Sequence, residues 1–471
     1  MAQTNHQLSV QDAYHHLYDG ETILLKVSGE EHDSPDFQKL AGDISAMARL
    51  GIRFIIVCGA GQQNTQYYNE HLALQRKKPH EPTWHLGSRV TSLEELQYGV
   101  LPAAKAIGEK IARLIPGAII LDPRDILCEP LPQLGYVGSP QIIYHLHDHD
   151  KNIVALLPVG YGFDCNEEQE EGGLHEQKAP YYGSFLNVNA DELALAVAEQ
   201  ARVVTAIFFT PTGGVMDTRK PQKPIIPLLW GEDINSDGSL REGSPYGEVS
   251  VSGGGGKMQK KLRHAKEMLG EMLKVVITGL ANVRGEIEQV LGSGTMIIRK
   301  ETIRRHWLTT AEERSIFHSL YGQNVLRGAF LPRNEAAMEE LLKHVHLIGV
   351  SNSILGAFAL IPHDDWMELA TVCSEYNGSG IGDVLVKHAQ QQALDEGKRH
   401  IYSVASSPGM AAILEGNGFT NHGTLLEVQH RDPSAYFHLP FVWNYNVEKR
   451  GRSTFLCTWH AGIDSINAAE T

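Results

Sequence analysis

The chain has 471 residues, of which 42% are hydrophobic and 21% are charged, and its formal net charge is -15. This length and composition predict more than one packed globular domain. The acidic balance without a basic stripe argues against a nucleic-acid binder, and the lack of an apolar run of about 18 residues in the sequence argues against a membrane span.

The cysteines, the histidines and the N-terminal residues indicate the cellular compartment and whether a metal site is expected. The five cysteines are far apart and form no Cys-x-x-Cys pair, which argues against a disulfide framework or a zinc knuckle. The 23 histidines show no ligand spacing, so we expect no metal site. The start MAQTNHQLSV does not have the pattern of a secretory signal. We therefore expect a cytoplasmic protein that binds small molecules.

Between about residues 20 and 298, short β-branched apolar runs alternate with helical patterns. Nearly continuous apolar runs are typical of strands buried on both faces of a parallel sheet, whose ligands bind beyond the carboxyl ends of the strands. Two polar segments, 162–183 and 217–256, are interpreted as loops. The predicted strands are 22–27, 52–57, 118–121, 153–158, 203–209 and 275–278.

Lysines, glycines and one aspartate follow these runs in an order that suits phosphoryl transfer. Lys26 lies in LLKVSGE, and Gly59 and Gly61 lie in VCGAGQQN. Asp191 lies in LNVNADELALAVAEQ, and a pair of lysines follows in GGGGKMQKKLRHA. Phosphoryl transfer needs mainly charge stabilisation and positioning; a lysine can neutralise phosphate charge, and glycines admit the phosphoryl oxygens.

These segments, together with GSRVT (87–91), resemble the amino-acid-kinase family, in particular N-acetylglutamate kinases and the kinase-like half of N-acetylglutamate synthases. The resemblance implies an open, mainly parallel α/β sheet. It implies that Arg89 holds an amino-acid carboxylate, that Asn187 contacts the substrate and that Asp191 orients the lysines. ATP and Mg²⁺ are implied only if this half is an active kinase; the alternative is a scaffold that binds an amino-acid effector. The implied site residues are Lys26, Gly59, Gly61, Arg89, Asn187, Asp191 and either Lys260 or Lys261.

The pattern changes after Met296. Helices are predicted around 310–321 and 334–345, followed by antiparallel strands at 346–351, 354–361 and 367–373 and a helix from Ile381. This is an α+β arrangement. We therefore predict two domains, 1–298 and 299–471.

A glycine-rich turn lies between the last of these strands and the helix. Glycines at 378, 380 and 382 let the backbone approach a ligand closely, and the first amides of the following helix point at an anion. A diphosphate is the anion that suits such a turn. A plain glycine-rich connection between strand and helix is the structural alternative.

The segment 368–386, with SSPGMAAILEGNGF (406–419), resembles the GNAT acetyltransferases. The resemblance implies acetyl-CoA as co-substrate, with its diphosphate on the amides of residues 378–383. Glu368 lies about where the family places its general base, and burial in a strand predicts a raised pKa for this carboxyl. Leu414 stands where many members have a tyrosine acid. The implied cofactor-binding residues are Val372, Asn377, Gly378, Ser379, Gly380, Ile381, Gly382 and Asp383.

The order of a kinase-like half followed by a GNAT half resembles the N-acetylglutamate synthases. The implied reaction moves acetyl from acetyl-CoA to the α-amine of L-glutamate, in arginine biosynthesis, with arginine as a possible effector and a homo-oligomer as the assembly. The two carboxylates of glutamate require cationic partners, for which Arg333 and Arg450 are the candidates and Arg327 and Arg452 the rivals.

Three alternatives remain open from the sequence. The first is a bifunctional synthase and kinase, which ATP-dependent phosphorylation of N-acetylglutamate would identify. The second is an acetyltransferase that acts on a different amino acid. The third is a non-catalytic amino-acid sensor, which would bind arginine or CoA without turnover.

Overall fold

The structure is a computed structural model that describes residues 8–85, 88–146, 152–163, 177–242, 244, 257–376, 378–425, 427–428 and 454–461. The chain divides into two compact units, one of His15–Arg299 and one of Met1–Tyr14 with Lys300–Thr471. Asn377, Arg450 and Arg452 lie outside the described residues, as do residues 164–176 of the polar segment 162–183.

The first unit is built around a large α/β sheet. Its strands are β1 Thr22–Val27, β2 Arg53–Cys58, β3 Trp84–His85, β4 Ser88–Arg89, β5 Ile119–Ile120, β6 Ile126–Pro130, β7 Val137–Ile143, β8 Ile153–Leu156, β9 Val159–Gly162, β10 Phe185–Val188, β11 Val203–Phe209, β12 Leu228–Trp230, β13 Lys274–Thr278 and β14 Gly294–Ile298. The helices up to this point are α1 Val10–Leu17, α2 Gly29–His32, α3 Asp36–Ala48, α4 Gly61–Leu74, α5 Leu93–Glu95, α6 Leu101–Leu114, α7 Ala190–Gln200, α8 Lys257–Met268 and α9 Val283–Ile287.

Eight strands form the main sheet in the order β12-β14-β13-β11-β1-β2-β8-β5. All neighbours in it are parallel except β13 and β14. The central strand β1 is buried along its length except at Lys26, which is half-buried near the carboxyl end. Hydrophobic burial therefore fixes the strand, while its one cation is left at the edge where ligands of parallel sheets bind.

Each of the six predicted strands of the first half is present, with bounds that differ by at most a few residues. The predictions missed a second sheet, in which β10, β7, β6 and β9 close on themselves. They also missed β12, which lies inside the polar segment 217–256 and pairs with β14 through three buried residues.

The second unit is an α+β unit with one seven-stranded sheet. Its strands are β15 Arg304–Trp307, β16 Val345–Val350, β17 Ser353–Pro362, β18 Met367–Cys373, β19 His400–Ala405, β20 Thr420–Thr424 and β21 Phe455–His460, and its helices are α10 Ala311–Leu326, α11 Glu335–Leu342, α12 Ile381–Asp395 and α13 Pro408–Gly416. The strand order is β15-β16-β17-β18-β19-β21-β20. The pair β18 and β19 is parallel and the other neighbours are antiparallel.

The helices and strands predicted around 310–373 are therefore present, and both the α/β and the α+β arrangements are as expected. Among the helices of the described segments, none has the length and apolar character that a membrane crossing requires.

Candidate active site

One face of β18 presents a row of half-buried side chains, Glu368, Ala370 and Val372, whereas the alternate residues are buried. This alternation follows from the two-residue period of a strand. The pairing of β17 with β18 shifts register between Ala359 and Leu360, so that Ala370 is the extra residue of a β-bulge. A bulge leaves the ladder locally disrupted, which makes backbone N–H groups available to an oxyanion.

The parallel strands β18 and β19 pair at their beginnings and then part. The paired positions run from Met367 with Ile401 to Leu369 with Ser403, although β18 continues to Cys373 and β19 to Ala405. An opening between parallel strands at their carboxyl ends can admit an extended ligand arm. It lies next to the face that carries Glu368.

The glycine turn after β18 is shaped for close approach of a ligand. Gly378 and Gly380 have φ angles of 76° and 82°, in the left-handed region that favours glycine. Gly380 is the N-cap of α12, so the free amides of that helix face the turn. Ser379 is fully buried, and its hydroxyl donates to the carbonyl of Tyr376 at 2.6 Å. A diphosphate fits such a turn, because the turn combines the first amides of the helix with the positive end of the helix dipole.

Two further residues of the turn have contacts of their own. A Cβ on Gly382 would lie 2.9 Å from Ile413 Cδ1, so this glycine lets α12 pack closely on α13. The Asp383 carboxylate accepts a hydrogen bond from Asn417 Nδ2 at 2.9 Å. Its side chain is therefore held by the protein, and only its backbone amide is available to an anion.

Glu368 is a half-buried acid of this site. Burial raises the pKa of its carboxyl to about 7, against which the positive charge of Arg333 acts. A carboxylate with a pKa near neutrality is suited to act as a general base at physiological pH. The predicted raised pKa is thus found, and Arg333 lies close enough to Glu368 to influence it.

A second carboxylate, Glu375, lies just beyond the end of β18. It accepts a hydrogen bond from Gln323 Nε2 at 2.5 Å. Burial raises the pKa of Glu375, while Gln323 and the charge of Arg327 oppose that rise. The two arginines named from the sequence and described here therefore act on different carboxylates, Arg333 on Glu368 and Arg327 on Glu375.

In the first unit, charged side chains meet at the carboxyl ends of β1 and β11. Lys26 Nζ lies 2.7 Å from Asp191 Oδ1, and His264 Nε2 lies 3.7 Å from Asp191 Oδ2. Asp191 is in the first turn of α7. Burial alone would raise the pKa of Asp191, but Lys26, His264 and Lys261 together hold it below its ordinary value.

Lys260 and Lys261 differ in burial and in their contacts. Lys260 is exposed, whereas Lys261 is half-buried and its Nζ donates to the carbonyl of Phe209 at the end of β11. Burial lowers the pKa of Lys261, and Lys26 lowers it further, while Glu31, Asp191 and Glu30 raise it. Lys26, Asp191 and Lys261 are thus brought together, with two more carboxylates near Lys261.

Arg89 already has a carboxylate partner within the chain. Its Nε donates to Glu95 Oε1 at 2.9 Å and its Nη2 donates to the same oxygen, while its Nη1 donates to the carbonyl of Gly61 at 2.9 Å. The side chains of Arg89 and Glu95 are only 10% and 3% exposed. Glu95 therefore occupies the fork that the sequence assigned to a bound amino acid.

The remaining predicted residues of this half are structural neighbours of the same edge. Asn187 Nδ2 donates to Thr91 Oγ1 at 3.0 Å, in a buried position. Gly59 donates its amide to Val27 at 2.7 Å, and a Cβ on Gly59 would lie 3.3 Å from the amide of Gly29. The two turns after β1 and β2 can approach each other because these positions are glycines.

Sequence reasoning missed several groups that line these sites, namely Glu30, Glu31, Glu95, His264, Gln323, His363 and Glu375. They are single polar residues in turns or helices, without a motif of their own. Only the fold brings them next to the predicted residues.

Comparisons with known proteins follow the same division. A model of the amino acid kinase family matches residues 21–279. An acetylglutamate kinase from Brachyspira hyodysenteriae is 22% identical over 265 residues, which cover 53% of this chain and 80% of that protein. An amino-acid acetyltransferase from Yersinia pseudotuberculosis is 22% identical over 424 residues, which cover 83% of this chain and 86% of that protein.

Among solved structures, the chain is similar to an N-acetylglutamate synthase from Neisseria gonorrhoeae. In its complex with coenzyme A and L-arginine the TM-score is 0.57 at 17% identity, covering 97% of this chain and 99% of that one. In its complex with coenzyme A and N-acetyl-glutamate the TM-score is 0.50, covering 96% and 98%. At this identity the similarity shows the fold, and it extends over both units.

Proposed function

The chain belongs to the amino acid kinase family over residues 21–279, and from this premise we propose that the whole protein is an N-acetylglutamate synthase. It transfers the acetyl group of acetyl-CoA to the α-amine of L-glutamate. The kinase-like half, residues 1–298, binds an amino-acid effector such as arginine, and residues 299–471 carry out the transfer as a GNAT domain. The proposed enzyme is a cytoplasmic homo-oligomer.

The observation that carries this proposal is the neighbourhood of Glu368. A carboxyl with a pKa of about 7 lies on the strand that leads into the glycine turn, beside the opening between β18 and β19. This combines a base, an anion site and a cleft for a thioester arm. The similarity of the fold to a synthase crystallised with coenzyme A supports it.

The proposed reaction is a direct attack. Glu368 accepts a proton from the ammonium group of glutamate, and the freed amine attacks the thioester carbonyl carbon. As the C–N bond forms, backbone N–H groups near the bulge at Ala370 stabilise the oxyanion. The C–S bond then breaks as the nitrogen loses its second proton, and the leaving CoA thiolate takes up that proton. Arg333, with Arg450 as the second candidate, binds the carboxylates of glutamate.

The bifunctional alternative has one observation in its favour, the assembly of Lys26, Asp191 and Lys261. Glu30 and Glu31 act on Lys261 from helix α2, which follows β1, where a triphosphate would have to bind. Two carboxylates there repel phosphate oxygens. The residues present therefore fit ATP poorly, and effector binding is the role that we propose for this half.

The test is the release of CoA from acetyl-CoA by purified protein with a panel of amino acids. We expect turnover with L-glutamate and a loss of about 10²- to 10⁴-fold in Glu368→Gln, the range for a lost general base. Glu375→Gln is the matched control, because this nearby acid is held by Gln323 and is assigned no proton transfer. Preferred turnover with another amino acid would favour the second alternative.

No turnover with any amino acid would contradict the proposal. A parallel incubation of the protein with ATP and N-acetylglutamate separates the remaining possibilities. Phosphorylation that is lost in Lys26→Met would support the bifunctional alternative, and binding of arginine without either reaction would support a sensor.

A further inference from the structure

The turn between β17 and β18 holds a histidine in a fixed position. The amide of His363 donates to the carbonyl of Trp366 at 2.9 Å, and Lys398 Nζ donates to the carbonyl of His363 at 3.0 Å. The imidazole stacks on the indole of Trp366, with ring centroids 3.7 Å apart and an interplanar angle of 11°. Backbone and ring are thus both constrained, so the imidazole has little freedom to turn away.

This fixed imidazole faces the proposed base. His363 Nε2 lies 3.7 Å from Glu368 Oε2. Nε2 is buried, and no atom of the described residues forms a hydrogen bond with it. The His363 side chain is 27% exposed and that of Glu368 18%. The ring therefore links a buried carboxyl to the more open side of the turn.

We propose that His363 is a positioning residue of the acetyl-transfer site that relays the proton from Glu368 to solvent. The inference rests on the proposed function, because it assigns the next step of the same reaction. After Glu368 has accepted the ammonium proton, its O–H bond breaks and an N–H bond forms at His363 Nε2. The proton on Nδ1 then leaves to water, and after the products leave, proton exchange with solvent returns the ring to its Nδ1–H tautomer. Glu368 is returned to its carboxylate form for the next turnover.

The charges around the pair agree with this role. Burial lowers the pKa of His363, with Asp364 opposing and His344 adding to the effect. A neutral imidazole is the form that can accept a proton at Nε2. The charge of Arg333 also acts on Glu368, and Lys398 holds the backbone of the turn.

The experiment compares His363→Gln, His363→Ala and the matched control His400→Gln in the CoA-release assay from pH 5.5 to 9, a range of about three units around the ordinary histidine pKa. We expect kcat to fall about 10- to 100-fold in both His363 variants, with KM for both substrates nearly unchanged. Added imidazole should restore kcat in His363→Ala, where the ring leaves space, and the apparent pKa of the acid limb should change. His400, a half-buried residue that pairs with His460, should be replaceable without these effects.

Two results would overturn the relay. One is a wild-type kcat and pH profile in the His363 variants. The other is a loss that imidazole does not restore and that a lower melting temperature accompanies, which would make His363 merely structural. In a Glu368→Gln background, His363→Gln should have no further effect on kcat.

A readout without turnover separates the relay from the function itself. The NMR titration of the His363 ring, identified by its loss in His363→Gln, should change in Glu368→Gln. An unchanged titration would overturn the inference whether or not glutamate is acetylated. A changed titration, together with no turnover on any amino acid, would show that His363 and Glu368 are coupled. It would support the pairing and contradict the proposed reaction.

Discussion

Glu368 and Arg333 carry opposite charges, and each changes what the other can do. Burial raises the pKa of Glu368 to about 7, and Arg333 limits that rise. Because the base must be unprotonated to accept a proton, activity should be low in acid, rise with pH through the pKa of Glu368 and level off above it. The pH dependence of kcat/KM is therefore a direct report on this pair.

Arg333→Gln tests both roles of the arginine. Removing the positive charge should move the acid limb of kcat/KM to higher pH than in the wild type. Losing a charge-assisted hydrogen bond to a substrate carboxylate, about 1.5–3 kcal/mol, should raise KM for glutamate about 10- to 100-fold. Arg333→Lys keeps the charge and should keep the acid limb in place. An acid limb that does not move in Arg333→Gln would contradict the electrostatic link, and an unchanged KM would remove Arg333 from the substrate site.

Which residues could be named in advance depended on how local their chemistry is. Glu368 and the glycines after it follow from one continuous segment, as do Lys26 and Asp191 from theirs. Glu95 and His363 could not be named from such a segment. Each meets its partner, Arg89 or Glu368, only because a turn brings the two together, and the geometry of these turns has no sequence pattern. The structure gives the positions of all these residues, whereas their roles stay predictions.

At the scale of elements, the glycine turn before α12 offers a matched pair of positions. Gly380 precedes this helix with a φ of 82°, and Gly397 follows the same helix with a φ of 72°. A Cβ at Gly397 would have open space. Alanine at either position therefore incurs the strain of a left-handed backbone, about 1–2 kcal/mol.

Gly380→Ala should raise KM for acetyl-CoA severalfold, because the added methyl group and the shifted backbone disturb the amides that receive the diphosphate. Both substitutions should lower the melting temperature by similar amounts, but Gly397→Ala should leave the KM for acetyl-CoA unchanged. Steady-state kinetics and thermal unfolding of the two variants check this. Equal effects on KM in both variants would mean that the turn acts through stability alone.

The pair of Arg89 and Glu95 gives the second prediction at this scale. Removing one partner of a buried ion pair leaves an uncompensated charge, at a cost on the order of 3 kcal/mol. Glu95→Gln should therefore lower the melting temperature, and millimolar L-arginine or N-acetylglutamate should raise it again by supplying a carboxylate to Arg89. Glu94→Gln is the control, since Glu94 is half-exposed and bonds to Tyr68. A melting temperature of Glu95→Gln that no carboxylate ligand raises would argue against a ligand site at Arg89.

The elements themselves were predictable where burial is continuous. Strands such as β1 and β11 are buried almost throughout, so their apolar runs identify them. The closed sheet of β6, β7, β9 and β10 was missed because glycines interrupt it, and glycine favours turns. Here the glycines have a packing role, since a Cβ on Gly160 would lie 2.3 Å from Cys128 Sγ.

At the scale of the whole molecule, the question is whether the kinase-like half controls the transfer half. A structurally similar synthase from Neisseria gonorrhoeae was crystallised in complex with coenzyme A and L-arginine. For the present chain, arginine is proposed as an effector of the first unit and acetyl-CoA as a substrate of the second. Control means that a coupling free energy exists between the two binding events, and such a coupling is reciprocal.

We therefore predict that each ligand changes the dissociation constant of the other by the same factor. The dissociation constant of L-arginine should change about 5- to 150-fold when the protein is saturated with coenzyme A. The dissociation constant of coenzyme A should change by the same factor when the protein is saturated with L-arginine. Titration calorimetry on the full chain measures both. Weaker binding in each direction would identify arginine as an inhibitor, and tighter binding as an activator. If arginine binds but the factor is one, the first unit holds its ligand without regulating the second, because a ligand can shift an equilibrium only by its differential affinity for the two states.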